Sequence, residues 1–316
     1  MDELRTFPLR TICLALAAVL VAACAGGGAA PVTTVEQTAN PIPEATATPT
    51  PTTEALTTAT VQPSATPAPR WDELPVAAND AASLAKQLVM VEAALRDPNV
   101  SGAQLAWLGH LQQLAYSRLA DYPDWKDTVL GAPPVSTRSA VLGSLEAGKQ
   151  LRSMGGLIPK TLPDWKIVEP APIDELLGDY REAETAFGVP WYYLAAIHLV
   201  ETRTGRIRGL SSAGAQGPMQ FMPATWAMYG KGDINDTHDA IMGAARYLKA
   251  AGAPDNMPKA LFAYNHSQGY VNALIAYAAV MKADPAAYRG YHGWQVYYPT
   301  TDGPVLLAVG WTKDKA

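Results

Sequence analysis

The chain has 316 residues, two cysteines and a formal net charge of −5, with 48% hydrophobic and 17% charged residues. It carries no block of basic residues, so it lacks the electrostatic footprint of nucleic-acid binding. A chain of this length can bury enough apolar surface to fold without cross-links.

Residues 1–23 read as an export signal. Arg5 and Arg10 give a short positive region, and TICLALAAVLVAA (11–23) is an apolar run too short to span a bilayer comfortably. The run ends in Val21-Ala22-Ala23-Cys24, which resembles the lipobox of bacterial lipoprotein signals. That resemblance implies removal of the signal and lipid modification of Cys24. The expected location is therefore extracytoplasmic, anchored to the cell membrane by lipid. A secretory signal with a chance cysteine is the plainer alternative. With Cys13 in the signal and Cys24 at the cleavage site, the mature domain keeps no thiol for a disulfide, a metal or a nucleophile.

Residues 24–70 are rich in Gly, Ala, Thr and Pro, as in EATATPTPTTEALTTATVQPSATPAP. With no aromatic side chain, such a stretch cannot repay the entropy of ordering. It reads as a disordered tether, kept extended by its prolines.

Globular composition begins at Trp71. Apolar residues at helical spacing predict a helix over 80–96, through Leu84, Leu88, Val91 and Leu95. Asp97-Pro98-Asn99 breaks it. A second helix is expected over 101–120, with Ser101 as N-cap, and a third over 136–153. Residues 71–165 thus form a helical region in which no catalytic residue types gather. His110 sits among Leu and Trp as a surface or core histidine rather than a ligand.

Residues 166–316 form the second folded part. TLPDWKIVEPAP (161–172) is a proline-punctuated connection into it. Helices are expected over 173–187 and from 191, with Pro190 in the first turn of the latter. A glycine- and serine-rich loop covers 205–217, and Pro223 opens a short helix. A capped helix, begun by Thr237 or Asp239, stops at Gly252. Helices over 257–265 and about 268–282 complete an all-α core. Asp233, Asp236 and Asp239 lack the spacing of a calcium loop, so no metal site is expected. WQVYYP and PVLLAV around the turn TTDG predict a C-terminal β-hairpin.

The chemistry concentrates in WYYLAAIHLVETRTG (191–205), an apolar helix that ends on Glu201. Leu194, Ile197 and His198 share its helical face. Partial burial and the negative end of the helix both favour the neutral acid. A carboxyl that stays protonated near neutrality suits glycosidic cleavage, where the leaving oxygen must receive a proton. The plainer reading is a rim glutamate paired with Arg203 or Arg206, and helical geometry alone does not decide against it.

Four motifs in order decide it. Glu201-Thr202 ends the helix; SSAGAQGPMQFMPATW follows at 211–226; ARYL stands at 245–248; AYN stands at 263–265. Together they resemble the lytic transglycosylase SLT domain, which has a goose-type, lysozyme-like fold, over roughly residues 173–282. The resemblance implies an all-α catalytic domain that cuts the β-1,4 bond between MurNAc and GlcNAc in peptidoglycan. Glu201 would be its single acid/base. Ser211, Gln220, Met222, Tyr264 and Asn265 match groove-lining positions, and Gln216, beside a loop glycine, joins them as a substrate-binding candidate. Met222 and Tyr264 could also be plain core. Three departures stand out: Thr202 for Ser, Pro218 for Leu, and His266-Ser267 for Ala-Gly.

In the implied mechanism the leaving oxygen takes a proton from Glu201, and the muramyl 6-hydroxyl closes a 1,6-anhydro ring without water, metal or other cofactor. Expected partners are the glycan strands, the membrane through the lipid anchor, and no nucleic acid. Wall-enzyme complexes are not identifiable from the sequence. A hydrolase of the same fold would add a second carboxylate across the cleft, for which Glu184, Asp233 and Asp236 are candidates. A wall-glycan-binding lipoprotein without activity is the alternative from another class.

Overall fold

The computed structural model describes residues 71–132, 135–156 and 158–315. The expected signal, Cys24 and the tether lie outside the described residues. α1 (Ala81–Arg96) begins at Asp80, whose Oδ1 accepts from the Ser83 N–H at 2.8 Å. It buries Leu84, Leu88, Val91 and Leu95, the stripe that the spacing predicts. α2 (Gly102–Asp121) follows. Ser101 occupies its N-cap position, but its hydroxyl makes no capping bond, contrary to expectation. A 3-10 turn (Pro123–Trp125) and α3 (Lys126–Gly131) were not announced by periodicity. α4 (Val135–Ser153) matches the third expected helix.

The connection before the next helix does more than join two parts. Its β1 (Lys166–Ile167) pairs antiparallel with β2 (Ile207–Arg208), Lys166 opposite Arg208 and Ile167 opposite Ile207. α5 (Ile173–Phe187) ends at left-handed Gly188. Pro190 then takes the N-cap position of α6 (Trp191–Thr202), one residue earlier than expected. α7 (Pro223–Tyr229) starts on its proline. α8 (Thr237–Ala251) is capped by neither Thr237 nor Asp239: Asp236 precedes the helix, and its Oδ1 accepts from the Asp239 N–H at 2.9 Å. α9 (Met257–Tyr264), α10 (Gln268–Ala283) and the unannounced α11 (Ala287–His292) complete the helices. The C-terminal hairpin is β3 (Val296–Thr300) with β4 (Gly303–Leu307), in register from Val296–Leu307 to Thr300–Gly303.

α6 is apolar on nearly every side because from Leu194 onward it is buried on every side. Leu194, Ala195, Ala196, Ile197 and Leu199 have no exposed surface. α5, α8 and α10 pack against it. One core serves both parts of the chain: Leu84, Leu88, Val141 and Leu151 join Leu176, Ile197 and Leu274. A second, smaller cluster seats the hairpin, with Val296, Tyr298 and Leu307 against Ile167 and Ile207.

Polar contacts bind the N-terminal helices to the rest. Gln113 Nε2 donates to the Gln295 carbonyl at 3.0 Å, and the Gln295 N–H donates to Gln113 Oε1 at 2.7 Å. His110 Nε2 lies 2.8 Å from the Tyr297 hydroxyl, and burial pushes its pKa down to about 4. It is therefore a neutral core histidine. Buried Glu92 accepts from Gln112 Nε2 at 3.0 Å and from the Tyr116 hydroxyl, and pairs with Arg96 at 2.6 Å. Gln112 Oε1 in turn accepts from Trp294 Nε1 at 3.1 Å. These contacts pair the side chains of Glu92, Gln112, Gln113 and Tyr116 inside the core, as a low-dielectric interior favours.

α2 meets α11 at glycines. A Cβ on Gly109 would lie 2.6 Å from the Gly290 carbonyl oxygen and 2.8 Å from Gly293 Cα. Helix propensity alone would make Gly109→Ala stabilising by about 1 kcal/mol. The clash with backbone reverses the sign, and a net loss of roughly 1–3 kcal/mol is expected in urea unfolding. An alanine variant as stable as the parent would show that the two helices can part without cost.

Candidate active site

The last turn of α6 delivers Glu201 and Thr202 to the edge of the core. Arg203 and Thr204 then take left-handed conformations, φ 53° and 57°, and turn the chain away. Their N–H groups donate to Leu199 and His198 carbonyls at 3.1 and 3.0 Å, so the helix end is satisfied.

Glu201 is 7% exposed, more deeply buried than its position at a helix end suggests. Its Oε1 accepts a hydrogen bond from the Tyr270 hydroxyl at 2.6 Å, delivered by α10. Burial raises its pKa to about 7, and the Tyr270 hydrogen bond offsets part of that rise. Among the described residues no charged group contributes to the shift. Arg206, the proposed rim partner, reaches Glu169 at 3.2 Å and the His292 carbonyl at 3.2 Å. The Arg203 guanidinium lies 5.6 Å from the centre of the Trp294 ring. His198 points away: its Nδ1 lies 2.8 Å from the Tyr180 hydroxyl, and burial lowers its pKa to about 3. It is neutral and brings no charge to the carboxyl.

Thr202 shows why a hydroxyl belongs beside the acid. Its Oγ1 donates to the Pro218 carbonyl at 2.6 Å and accepts from the Gly205 N–H at 3.1 Å. One side chain thus ties the helix end to the loop 211–222. That loop is internally stapled. Ser211 Oγ accepts from the Ala213 and Ala215 N–H groups at 3.2 and 2.9 Å. Gln216 and Phe221 exchange two backbone hydrogen bonds of 2.8 Å. Between them Gly217 has φ 73°, and a Cβ there would overlap the Ile234 carbonyl oxygen. Gln220 has φ 51°, and its Nε2 donates to the Gly217 carbonyl at 2.9 Å.

The expected groove residues therefore divide. The Tyr264 hydroxyl donates to the Met219 carbonyl at 2.6 Å, joining α9 to the loop that Thr202 holds. Its ring lies 6.0 Å from Phe221 and 5.7 Å from Tyr247. Ser211 and Gln220 use their side chains to shape their own loop. Gln216 is half-buried at the bridge, and Met222 is half-buried at the N-cap of α7. Asn265 is buried at the C-cap of α9, where its carbonyl accepts from the Ser267 N–H at 2.7 Å. Sequence reasoning missed Tyr270. The signal was available: a tyrosine in the apolar helix 268–282 must find a partner for its hydroxyl if buried. Ser267, one of the departures, caps that same helix by accepting from the Tyr270 N–H at 3.4 Å.

The acidic loop before α8 has local work. Asp233 accepts from Asn235, Asp236 from Asp239 and Asp239 from Asp233, all through backbone N–H groups at 2.9 Å. Asp236, His238 and Asp239 bring ligand atoms within 4.8 Å of one another at the surface. Glu184 pairs with Arg181 at 3.0 Å.

A buried carboxyl with a raised pKa thus stands at the end of a central helix inside an all-α frame. Residues 180–285 match the family model of the transglycosylase SLT domain. That segment is similar to the transglycosylase SLT domain, and the architecture around it is all-α with a C-terminal hairpin, consistent with a lysozyme-like SLT domain. The chain is similar to "membrane-bound lytic murein transglycosylase F" of Thiobacillus denitrificans, 31% identical over 124 residues. The match covers 37% of this chain and 26% of that protein. No solved structure matches the chain significantly.

The buried carboxyl has a thermodynamic signature. Its pKa is about 7 folded against 4.5 for an ordinary glutamate. Between those values the folded state holds the extra proton, so Glu201 favours folding most below pH 4.5 and progressively less as pH rises to about 7. The loss amounts to roughly 3 kcal/mol. Glu201→Gln removes it. The variant should gain on the parent from pH 4.5 to 7 and level off above, in urea unfolding at each pH. A stability difference that does not vary with pH would contradict the burial.

Proposed function

We propose that the protein is a peptidoglycan lytic transglycosylase that cleaves the MurNAc–GlcNAc β-1,4 bond with one carboxyl group, Glu201. The observation that carries this reading is the state of Glu201: buried, hydrogen-bonded by the Tyr270 phenol, with a pKa near neutrality and no charged group among the described residues contributing to it. A hydrolase that retains configuration would set a second carboxyl about 5–5.5 Å away, close enough to raise the pKa of Glu201 further. The SLT domain match and the similarity to a lytic murein transglycosylase support the substrate class.

In the reaction, the protonated Glu201 gives its proton to the bridging oxygen as the bond from the anomeric carbon to that oxygen breaks. The positive charge that develops on the anomeric carbon is met by the substrate's own acetamido carbonyl oxygen. Glu201, now a carboxylate, takes the proton of the muramyl C6 hydroxyl as its oxygen closes on the anomeric carbon. Glu201 ends protonated and no water is consumed. A pKa near 7 suits both halves, since the group must give a proton and then recover one. The Tyr270 hydroxyl donates to either form of the carboxyl and is worth most to the ionised one. Tyr264, Asn265, Gln216, Gln220, Ser211 and Met222 are proposed to border the glycan strand, the polar ones by matching its amides and hydroxyls.

We also propose an extracytoplasmic location with a lipid anchor at Cys24, on the strength of the Val21-Ala22-Ala23-Cys24 sequence. Among the described residues no helix is long and apolar enough to cross a membrane.

The mass of the products tests the chemistry. Digestion of purified peptidoglycan should release anhydro-muropeptides, one water lighter than hydrolysis products, and Glu201→Gln should lower the rate by at least about 100-fold. Reducing-end products would assign a lysozyme-like hydrolase. No release at all would leave a glycan-binding protein and refute both enzyme readings.

A further inference from the structure

The helices of residues 71–165 carry none of the proposed chemistry, yet one of them reaches the helical turn that carries Tyr270. α4 packs along α10. At the start of α10, Gly269 has no room for a side chain. A Cβ there would lie 2.9 Å from the Gln150 carbonyl oxygen of α4 and 2.7 Å from Met154 Cγ. One turn on, Asn272 Nδ2 donates to Gln150 Oε1 at 3.2 Å, while Asn272 Oδ1 accepts from Gln268 Nε2 at 2.8 Å. Gln150 therefore meets the first turn of α10 twice, through its backbone and through its side chain. Tyr270, the neighbour of Gly269, lies in that turn and donates to Glu201 from its other side. At the far end of the contact, Gly143 of α4 lets Val280 approach so closely that a Cβ would overlap its methyl group.

We propose that α4 is a positioning element of the Glu201 site, with Gln150 as its positioning residue. It fixes the first turn of α10, and with it the Tyr270 hydroxyl on the Glu201 carboxyl. This rests on the reading of Glu201 as the acid/base. It also gives the N-terminal helices a function: they are the outer wall that presses α10 onto α6, rather than a separable module.

The chemical consequence follows from what surrounds the carboxyl. On α6, His198 is turned to Tyr180. On α9, Tyr264 is bound to the Met219 carbonyl. The loop 211–222 has no titratable side chain. On α4, Lys149 and Glu146 are exposed and pair with each other at 4.0 Å, and none of the helix's charged residues contributes to the Glu201 shift. Among the described residues, Tyr270 is thus the one group beyond burial that tunes Glu201. It lowers the pKa, so a first turn of α10 that loosens lets Glu201 stay protonated to higher pH. It also frees the carboxylate to wander from the position that the second proton transfer needs.

The test is the pH dependence of muropeptide release from purified peptidoglycan, measured on the full chain and three variants. Gly269→Ala pushes on the Gln150 backbone, and Gln150→Ala removes the side-chain bonds to Asn272 and to exposed Glu146 while keeping the backbone contact. Leu111→Ala lies in a separate cluster with Val91, Leu95 and Leu108, and serves as a stability control. Both α4–α10 variants should raise the alkaline midpoint by about half a unit or more and lower the optimal rate by roughly 3–10-fold. Leu111→Ala should lower the melting temperature and leave the midpoint in place. If Gly269→Ala fails to fold, Gln150→Ala decides. A Gln150→Ala protein with the parent's midpoint and rate would overturn the proposal, as would an equal midpoint shift in Leu111→Ala. A parent whose rate survives Glu201→Gln would instead refute the acid assignment beneath it.

Discussion

The burial of one carboxyl group against one phenol is the constraint on which the site depends. An ionised carboxylate buried without compensation costs several kcal/mol, so the group keeps its proton instead. The hydrogen bond from Tyr270, at 2.6 Å, limits that effect. Burial pushes the pKa up, and the phenol pulls it back down. Together they hold Glu201 near pH 7, where a group can serve in both directions.

The rest of the structure keeps those two groups in contact. α6 is surrounded, so Glu201 at its end reaches the margin of the core without leaving it. Thr202 fixes that end to the Pro218 carbonyl, and Tyr264 fixes α9 to the next residue's carbonyl, Met219. Two adjacent backbone oxygens of one loop thus join the helix bearing the acid to the helix bearing the expected groove residues. The loop can offer them because Gly217 and Gln220 accept left-handed geometry there. Pro218, a departure from the family pattern, sits inside this tight turn, where a fixed φ removes freedom rather than adding strain.

Much of this was legible before any coordinates. The apolar run 191–200 announced a helix ending on Glu201, but the left-handed turn at Arg203 and Thr204 that follows it was not signalled. Glu201, the glycine loop and the AYN segment identified the family. What sequence could not show was distance in space. Tyr270 stands 69 positions from Glu201, and no local periodicity marks a phenol that bonds across two helices. The two-residue strands β1 and β2 escaped because a pattern so short has no period. Ser101 and Ser211 illustrate a subtler limit. Both are capping or loop serines by composition, but only Ser211 uses its hydroxyl on the backbone around it. Side-chain rotation, not residue type, decides that outcome.

The protonation of Glu201 itself is the most direct measurement. Carbon-13 labelling of glutamate side chains, with Glu201→Gln to assign the resonance, would follow the carboxyl through a pH titration. A midpoint near 7 is the result this structure requires. A midpoint near 4.5, the value of a solvated glutamate, would contradict it, because an acid ionised at neutrality has no proton to give a glycosidic oxygen.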